Sequence, residues 1–311
     1  MDCRNFIENY DYITESYNEL YEKRYEGGTP MKYAGGKAFG VYQILEYFPK
    51  NLSKVVSPFI GGGSLEVAIC KELQVPVIGY DIFELLVNYW QVQIKQPQEL
   101  YEKLKTFPNT KEFYAKIKDI LKEVFNKGGE LKRGSYTDLE LAAFYYYNHN
   151  LSYGPQFLGH MSNLYLDDNK YQKTLNKVKN FNVKNLQVHH RRFENVIPAH
   201  NGDFMYLDPP YVLGGDSKVY RGLYPSSAMP IFHNKFDHEK LANLLKKHFG
   251  GFILSYNDCS WVRETYKEFE IVEIAWQYSM GMGVKTIGKY RQKNNLTHIK
   301  KSSELLIIGR K

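Results

Sequence analysis

The chain has little cysteine: Cys3, Cys70 and Cys259 are the only three among 311 residues. An odd number of thiols set so far apart builds neither a disulfide framework nor a CxxC metal site, so a reducing intracellular compartment is expected. No apolar run reaches the roughly 20 residues of a membrane span. The first residues lack the basic start and apolar stretch of a secretory signal. A soluble protein with no membrane partner follows as the expectation. His149 and His160 have no carboxylate or cysteine at helical spacing, so no metal site is assigned. GxGxxG is absent, and no lysine follows the glycine-rich turn as it does in a Walker loop, which disfavours nucleoside triphosphates.

What is present is enough for a core. At 43% hydrophobic residues the chain buries one large domain, or a core carrying an insertion. Lys and Arg exceed Asp and Glu by 41 − 34 = 7, a balance compatible with nucleic acid but shared by many soluble enzymes. The 27 tyrosines suit base stacking and ordinary cores equally well.

The order of elements is informative. Residues 1–28 are acidic and aromatic, with a helical pattern over 14–25, and make a poor grip for phosphate. Met31-Lys32-Tyr33-Ala34-Gly35-Gly36-Lys37 places small residues between lysines. The backbone there can pass close to a ligand, with Lys37 beginning a helix that reaches about residue 48. A strand over 54–60 meets Gly61-Gly62-Gly63-Ser64 and an apolar helix over 65–73, the opening of a nucleotide-binding βαβ unit. The next strand, 75–80, ends at Asp81. An acid there commonly holds a ribose through its hydroxyls, although an N-cap for the following helix over 82–94 is the alternative. Residues 97–182 read as helical, lysine-rich and inserted, outside the sheet. Further strands are expected at 184–190, 251–256, 271–277 and 304–308, with helices at 237–249 and 259–269. After 190, Arg191-Arg192 can touch phosphate or cap. Residues 212–235 form a loop long enough to cover a site. The span 281–301 carries Lys285, Lys289 and Arg291 with almost no acid, a candidate phosphate track.

The tetrapeptide Asp208-Pro209-Pro210-Tyr211 closes a bulky apolar strand over 203–207. Consecutive prolines end the ladder and fix φ twice, aiming the Asp208 carboxylate and the Pro209 carbonyl outward together. Two neighbouring acceptors suit a planar NH2 group, and Tyr211 offers a flat surface for a ring.

Lys-Tyr-Ala-Gly-Gly-Lys, Ser-Pro-Phe-Ile-Gly-Gly-Gly-Ser, Tyr-Asp-Ile and Asp-Pro-Pro-Tyr, in that order, resemble the Dam-type (alpha group) adenine-specific DNA methyltransferases over about residues 30–311. The resemblance implies an α/β, Rossmann-like fold dependent on S-adenosylmethionine. Its sheet would be seven-stranded and mixed with one reversed strand, split as 29–96 and 183–311, with a mostly helical target-recognition segment at 97–182. It also implies S-adenosylmethionine as cofactor (S-adenosylhomocysteine as product), held by Tyr33, Lys37, Phe59, Gly61, Gly63, Asp81 and Asp208, with Lys37 near the carboxylate. Asp208, Pro209 and Tyr211 would be catalytic on a flipped-out adenine of double-stranded DNA. Asn148, Tyr153, Arg191, Lys285, Lys289 and Arg291 are the candidate DNA contacts. Two positions depart from the pattern. Ser57 stands where the family usually has glutamate, and the segment after Asn148 lacks the Gly-Tyr-Asn-Gly run of the bacterial maintenance enzymes, so GATC recognition does not transfer. The rival readings are amino-methylation of cytosine, methylation of RNA or a protein amide, and a DNA-binding relative without catalysis. Monomer and homodimer both remain open.

Overall fold

A computed structural model describes residues 25–125, 131–212, 236–274 and 304–310. The helical pattern at 14–25 lies outside the described residues except for Tyr25. Most of the 212–235 loop and the basic span with Lys285, Lys289 and Arg291 also lie outside them.

Seven strands form one sheet: β1 (Val55–Ser57), β2 (Val77–Asp81), β3 (Leu186–His190), β4 (Phe204–Leu207), β5 (Phe252–Asn257), β6 (Glu270–Ile274) and β7 (Glu304–Gly309). Their spatial order is β3-β2-β1-β4-β5-β7-β6. The first five pair in parallel, and β7 runs antiparallel between β5 and β6. Strands β1, β4, β5 and β7 are buried along their whole length, because helices cover both faces of this part of the sheet. The chain leaves β1 towards β2 on one side and later returns to β4 on the other. That reversal opens a crevice above the carboxyl ends of β1 and β4, where open α/β sheets bind ligands.

One face carries α1 (Val41–Leu45), α2 (Ser64–Ala68) and α3 (Glu84–Lys95). The other carries α8 (Phe193–Ala199), α9 (His238–Lys246) and α10 (Ser260–Thr265). Between β2 and β3 the chain is helical: α4 (Pro97–Lys105), α5 (Lys111–Val124), α6 (Asp138–Leu151) and α7 (Asp168–Lys179). Thr110 caps α5, Thr137 and Glu140 form a capping box on α6, and Asp167 caps α7. Helix α6 packs on α3, α4 and α5 and is buried nearly all round, as a central helix is.

Many of the tyrosines are structural. Tyr146 donates to the Thr174 carbonyl at 3.0 Å, Tyr147 to Pro108 at 2.6 Å and Tyr114 to Asn148 at 2.8 Å. Each ring fills the core while its hydroxyl satisfies a backbone acceptor that burial cuts off from water.

Several element ends shift by a few residues, and one start has a clear cause. The first helix starts at Val41, not at Lys37, because residues 37–40 form a turn closed by the Gly40 N–H on the Lys37 carbonyl. The helix after the glycine turn spans the expected residues and widens to a π-helical turn at Ile69–Leu73, with Gln74 following at φ of 56°. Tyr25 is already part of the domain, buried with its hydroxyl on Glu72 at 2.8 Å.

Candidate active site

A cavity of about 590 Å³ occupies the crevice. Of the residues singled out from sequence, Tyr33, Lys37, Phe59 and the turn with Gly61 and Gly63 line it. So do Asp81, Arg191 and Asp208, from three further points along the chain.

The turn between β1 and α2 explains the glycines. Gly61 and Gly63 have φ of 46° and 64°, in the left-handed region that favours glycine. A Cβ on Gly63 would sit 2.7 Å from the Trp90 ring, and Trp90 Nε1 donates to the Gly61 carbonyl at 3.0 Å. The buried indole of α3 thus clamps the turn against the cavity.

At one end of the cavity, Asp81 accepts from the Gly61 N–H (3.1 Å, Oδ2) and the Phe83 N–H (2.9 Å, Oδ1). Burial raises its carboxyl above the usual range while these amides oppose the shift. Each oxygen keeps acceptor capacity for a further donor. The alternative of a helix cap is partly realised, since the Phe83 contact shapes the turn into α3. Beside this end stand Phe59, Phe193 and Phe236, with ring centroids 5.1–5.6 Å apart. They make an aromatic wall suited to a flat ring.

The other end is crowded with charge. Lys37, almost wholly buried, donates to both Asp208 oxygens at 2.6 and 2.7 Å and lies 3.7 Å from Glu304 Oε1. Glu66 accepts from the Ser57 hydroxyl at 2.7 Å. Burial pushes Glu66 up to about 7 and Glu304 up to about 8, and it also raises Asp208 against the pull of the Lys37 ammonium. Three acids around one lysine cannot all ionise in a low-dielectric site. Glu66, Glu304, Phe193 and Phe236 were not anticipated from sequence. The available signal was an acid inside an apolar run, as in Leu65-Glu66-Val67, or at the head of one, as in Glu304-Leu305-Leu306.

The tetrapeptide is held from behind. Asn257, at the end of β5, accepts from the Val212 N–H at 3.0 Å and donates to the Val212 carbonyl at 3.3 Å. Pro210 lines the cavity with Asp208, whereas Pro209 is buried. Tyr211 is 2% exposed, with the Lys37 ammonium 5.2 Å from its ring centre, and does not line the cavity.

The helical block meets the site through the end of α6. The Lys32 N–H donates to Asn150 Oδ1 at 2.8 Å, and His149 Nε2 lies 3.0 Å from the Lys32 carbonyl. The His149 ring stacks between Tyr33 and Tyr145, and burial lowers it to about 4, so it is neutral. The expectation that Asn148 touches DNA is corrected. It is fully buried on the last turn of α6, where its Oδ1 accepts from the Leu158 N–H at 2.8 Å. Tyr153, five residues on, is 64% exposed.

Among the described residues no group of three His, Cys, Asp or Glu could hold a metal ion, and no helix is long and apolar enough to cross a membrane. The model of the D12 class N6 adenine-specific DNA methyltransferase family matches residues 33–280. The chain is similar to the Type II methyltransferase M1.LlaDCHI of Lactococcus lactis subsp. cremoris, 25% identical over 271 residues that cover 83% of this chain and 91% of that protein. It is also similar to the Type II methyltransferase M.CviBI of Paramecium bursaria Chlorella virus NC1A, 21% identical over 277 residues covering 86% and 96%. The chain belongs to the D12 class N6 adenine-specific DNA methyltransferase family, and its seven-stranded mixed sheet is the Rossmann-like fold of such enzymes.

Proposed function

We propose that the chain transfers a methyl group from S-adenosylmethionine to the exocyclic amino group of an adenine rotated out of double-stranded DNA. The observation that carries this reading is the convergence of Asp81, the glycine turn and Asp208 on one cavity at the strand switch point. The donors and walls fit the cofactor: aromatic rings for its adenine, the free acceptor capacity of Asp81 for its ribose hydroxyls, and the Lys37 ammonium for its carboxylate. When bound, that cofactor supplies an electrophilic methyl on a sulfonium.

The residues of the chain do the rest. The amino nitrogen of adenine is a poor nucleophile because its lone pair is delocalised into the ring. Asp208, accepting from that NH2 with the Pro209 carbonyl beside it, favours a pyramidal nitrogen and opposes the positive charge that develops there. The proton then lost passes to the Asp208 carboxylate or to water. Burial, which raises Asp208, makes it the better acceptor of that proton. Asn257, gripping Val212, keeps the tetrapeptide from moving as charge develops. Rotating a base from the duplex costs a few kcal/mol, offset by contacts in the pocket.

Residues 97–182, with exposed Tyr153, are assigned to target recognition, and Arg191 at the cavity rim, with Lys285, Lys289 and Arg291, to phosphate contacts. The test is transfer of a labelled methyl to duplex DNA followed by nucleoside analysis. N6-methyladenine is expected. Label on cytosine, or none on DNA, would sink the proposal.

A further inference from the structure

Glu66 is an acid on the third residue of α2, 2% exposed, yet part of the cavity wall. Its side chain accepts from the Ser57 hydroxyl, a neutral donor that leaves most of the carboxylate's acceptor capacity open. Lys37, the nearby cation, is turned to Asp208 and Glu304 instead. Among the described residues, Glu66 and Asp208 are the acids of this end that line the cavity, and the Lys37 ammonium sits on Asp208, so Glu66 faces the cavity with only a neutral donor at hydrogen-bond distance. A buried acid in such a place calls for a cation.

Resting on the cofactor reading above, we infer that Glu66, oriented by Ser57, receives the α-ammonium of S-adenosylmethionine. That ligand brings an ammonium and a sulfonium against one carboxylate, so its net positive charge favours the ionised form of Glu66 and pairs with it. Lys37 takes the carboxylate, and Glu66 takes the ammonium on the same side chain of the ligand. Ser57 gives the departure from the family pattern a physical meaning. Where the strand would carry its own glutamate, it carries a hydroxyl that holds a glutamate supplied by the next helix, nine residues on. Glu66 is a binding and positioning residue: fixing the amino-acid end of the ligand fixes the reacting carbon relative to Asp208.

The experiment is calorimetric titration of the full chain with S-adenosylhomocysteine and with its analogue lacking the amino group. The unaltered protein is expected to favour S-adenosylhomocysteine by about ten- to a hundredfold, the range for one charge-assisted hydrogen bond. Glu66→Gln should remove that preference, weakening S-adenosylhomocysteine while leaving the analogue unchanged. Ser57→Ala, which keeps the charge and removes its orienting donor, should give a smaller loss confined to the same ligand. Equal binding of the two ligands by the unaltered protein, or an equal loss for both in Glu66→Gln, would overturn the assignment while leaving the cofactor reading intact. No binding of S-adenosylhomocysteine at all would overturn both.

Discussion

The two strands flanking β1 each run into an aspartate, Asp81 at the end of β2 and Asp208 just after β4, and the two carboxylates are held in different ways. Backbone N–H groups of Gly61 and Phe83 hold Asp81. These donors are part of the turn itself and cannot swing away. Asp208 is held by an ammonium on a flexible stem, Lys37, with Glu304 and Glu66 close by. One end of the cavity is thus a fixed acceptor beside an aromatic wall, suited to neutral hydroxyls and a flat ring. The other is a set of charges that can redistribute when a charged ligand and a base arrive. On the proposed function, affinity and chemistry divide between two aspartates whose places in the sheet are nearly symmetrical.

The sharpest test of that division is Asp208→Ala. Methyl transfer at saturating cofactor should fall by about 10²–10⁴-fold, the range for losing a positioned acid–base or electrostatic group. Cofactor affinity, measured by calorimetry, should change far less. Near-normal turnover would break the comparison outright.

Next in size is a pH dependence seated at the charged end. Burial holds Glu304 near 8 and Glu66 near 7, against about 4.5 in the unfolded chain. Between those values the folded state keeps protons that the unfolded chain has released. Stability is therefore lost as pH rises from about 4.5, and the loss levels off above about 8. Lys37, facing both acids, moderates the slope, and Asp208 adds to it. In urea unfolding followed across this range, Glu304→Gln should flatten the curve. A mutant whose slope matched the parent would place the strain elsewhere.

Asp81→Ala should act in the opposite sense from Asp208→Ala. Binding of S-adenosylhomocysteine is expected to weaken by about ten- to a hundredfold, with KM for the cofactor rising and kcat largely kept. A loss in kcat with KM unchanged would show that Asp81 belongs with the chemistry.

How much of this was legible beforehand follows the same divide. The fixed end is local: a strand, a glycine turn, a helix and an acid twenty residues beyond Gly61. Such spacing is visible because the backbone itself builds the contact. The charged end is assembled from afar. Lys37 and Asp208 are 171 residues apart, and Glu304 arrives on the last strand. Lys37 and Asp208 stand out through their motifs, but Glu66 lies inside an apolar run and Glu304 at the head of one, where only their burial betrays them. Asn148 misled for a related reason. Helix α6 runs on to Leu151 and turns it inward, where it pins the Leu158 amide. Helix α1 starts at Val41 because the turn at Gly35 (φ of 76°) and the turn at 37–40 take precedence over helix formation from Lys37.

The smallest effect expected comes from the wall at the fixed end. Phe59 meets Phe193 at 5.5 Å and Phe236 at 5.6 Å, and all three line the cavity. Phe59→Leu keeps apolar volume and removes the ring, so it isolates the stacking contribution, about 0.5–1.5 kcal/mol for an aromatic pair. A two- to tenfold loss of cofactor affinity should result, felt equally by S-adenosylhomocysteine and by its analogue lacking the amino group, because both carry the same adenine. A loss that depended on the amino group would mean that the aromatic wall serves the charged end, and the separation of the two ends would not stand.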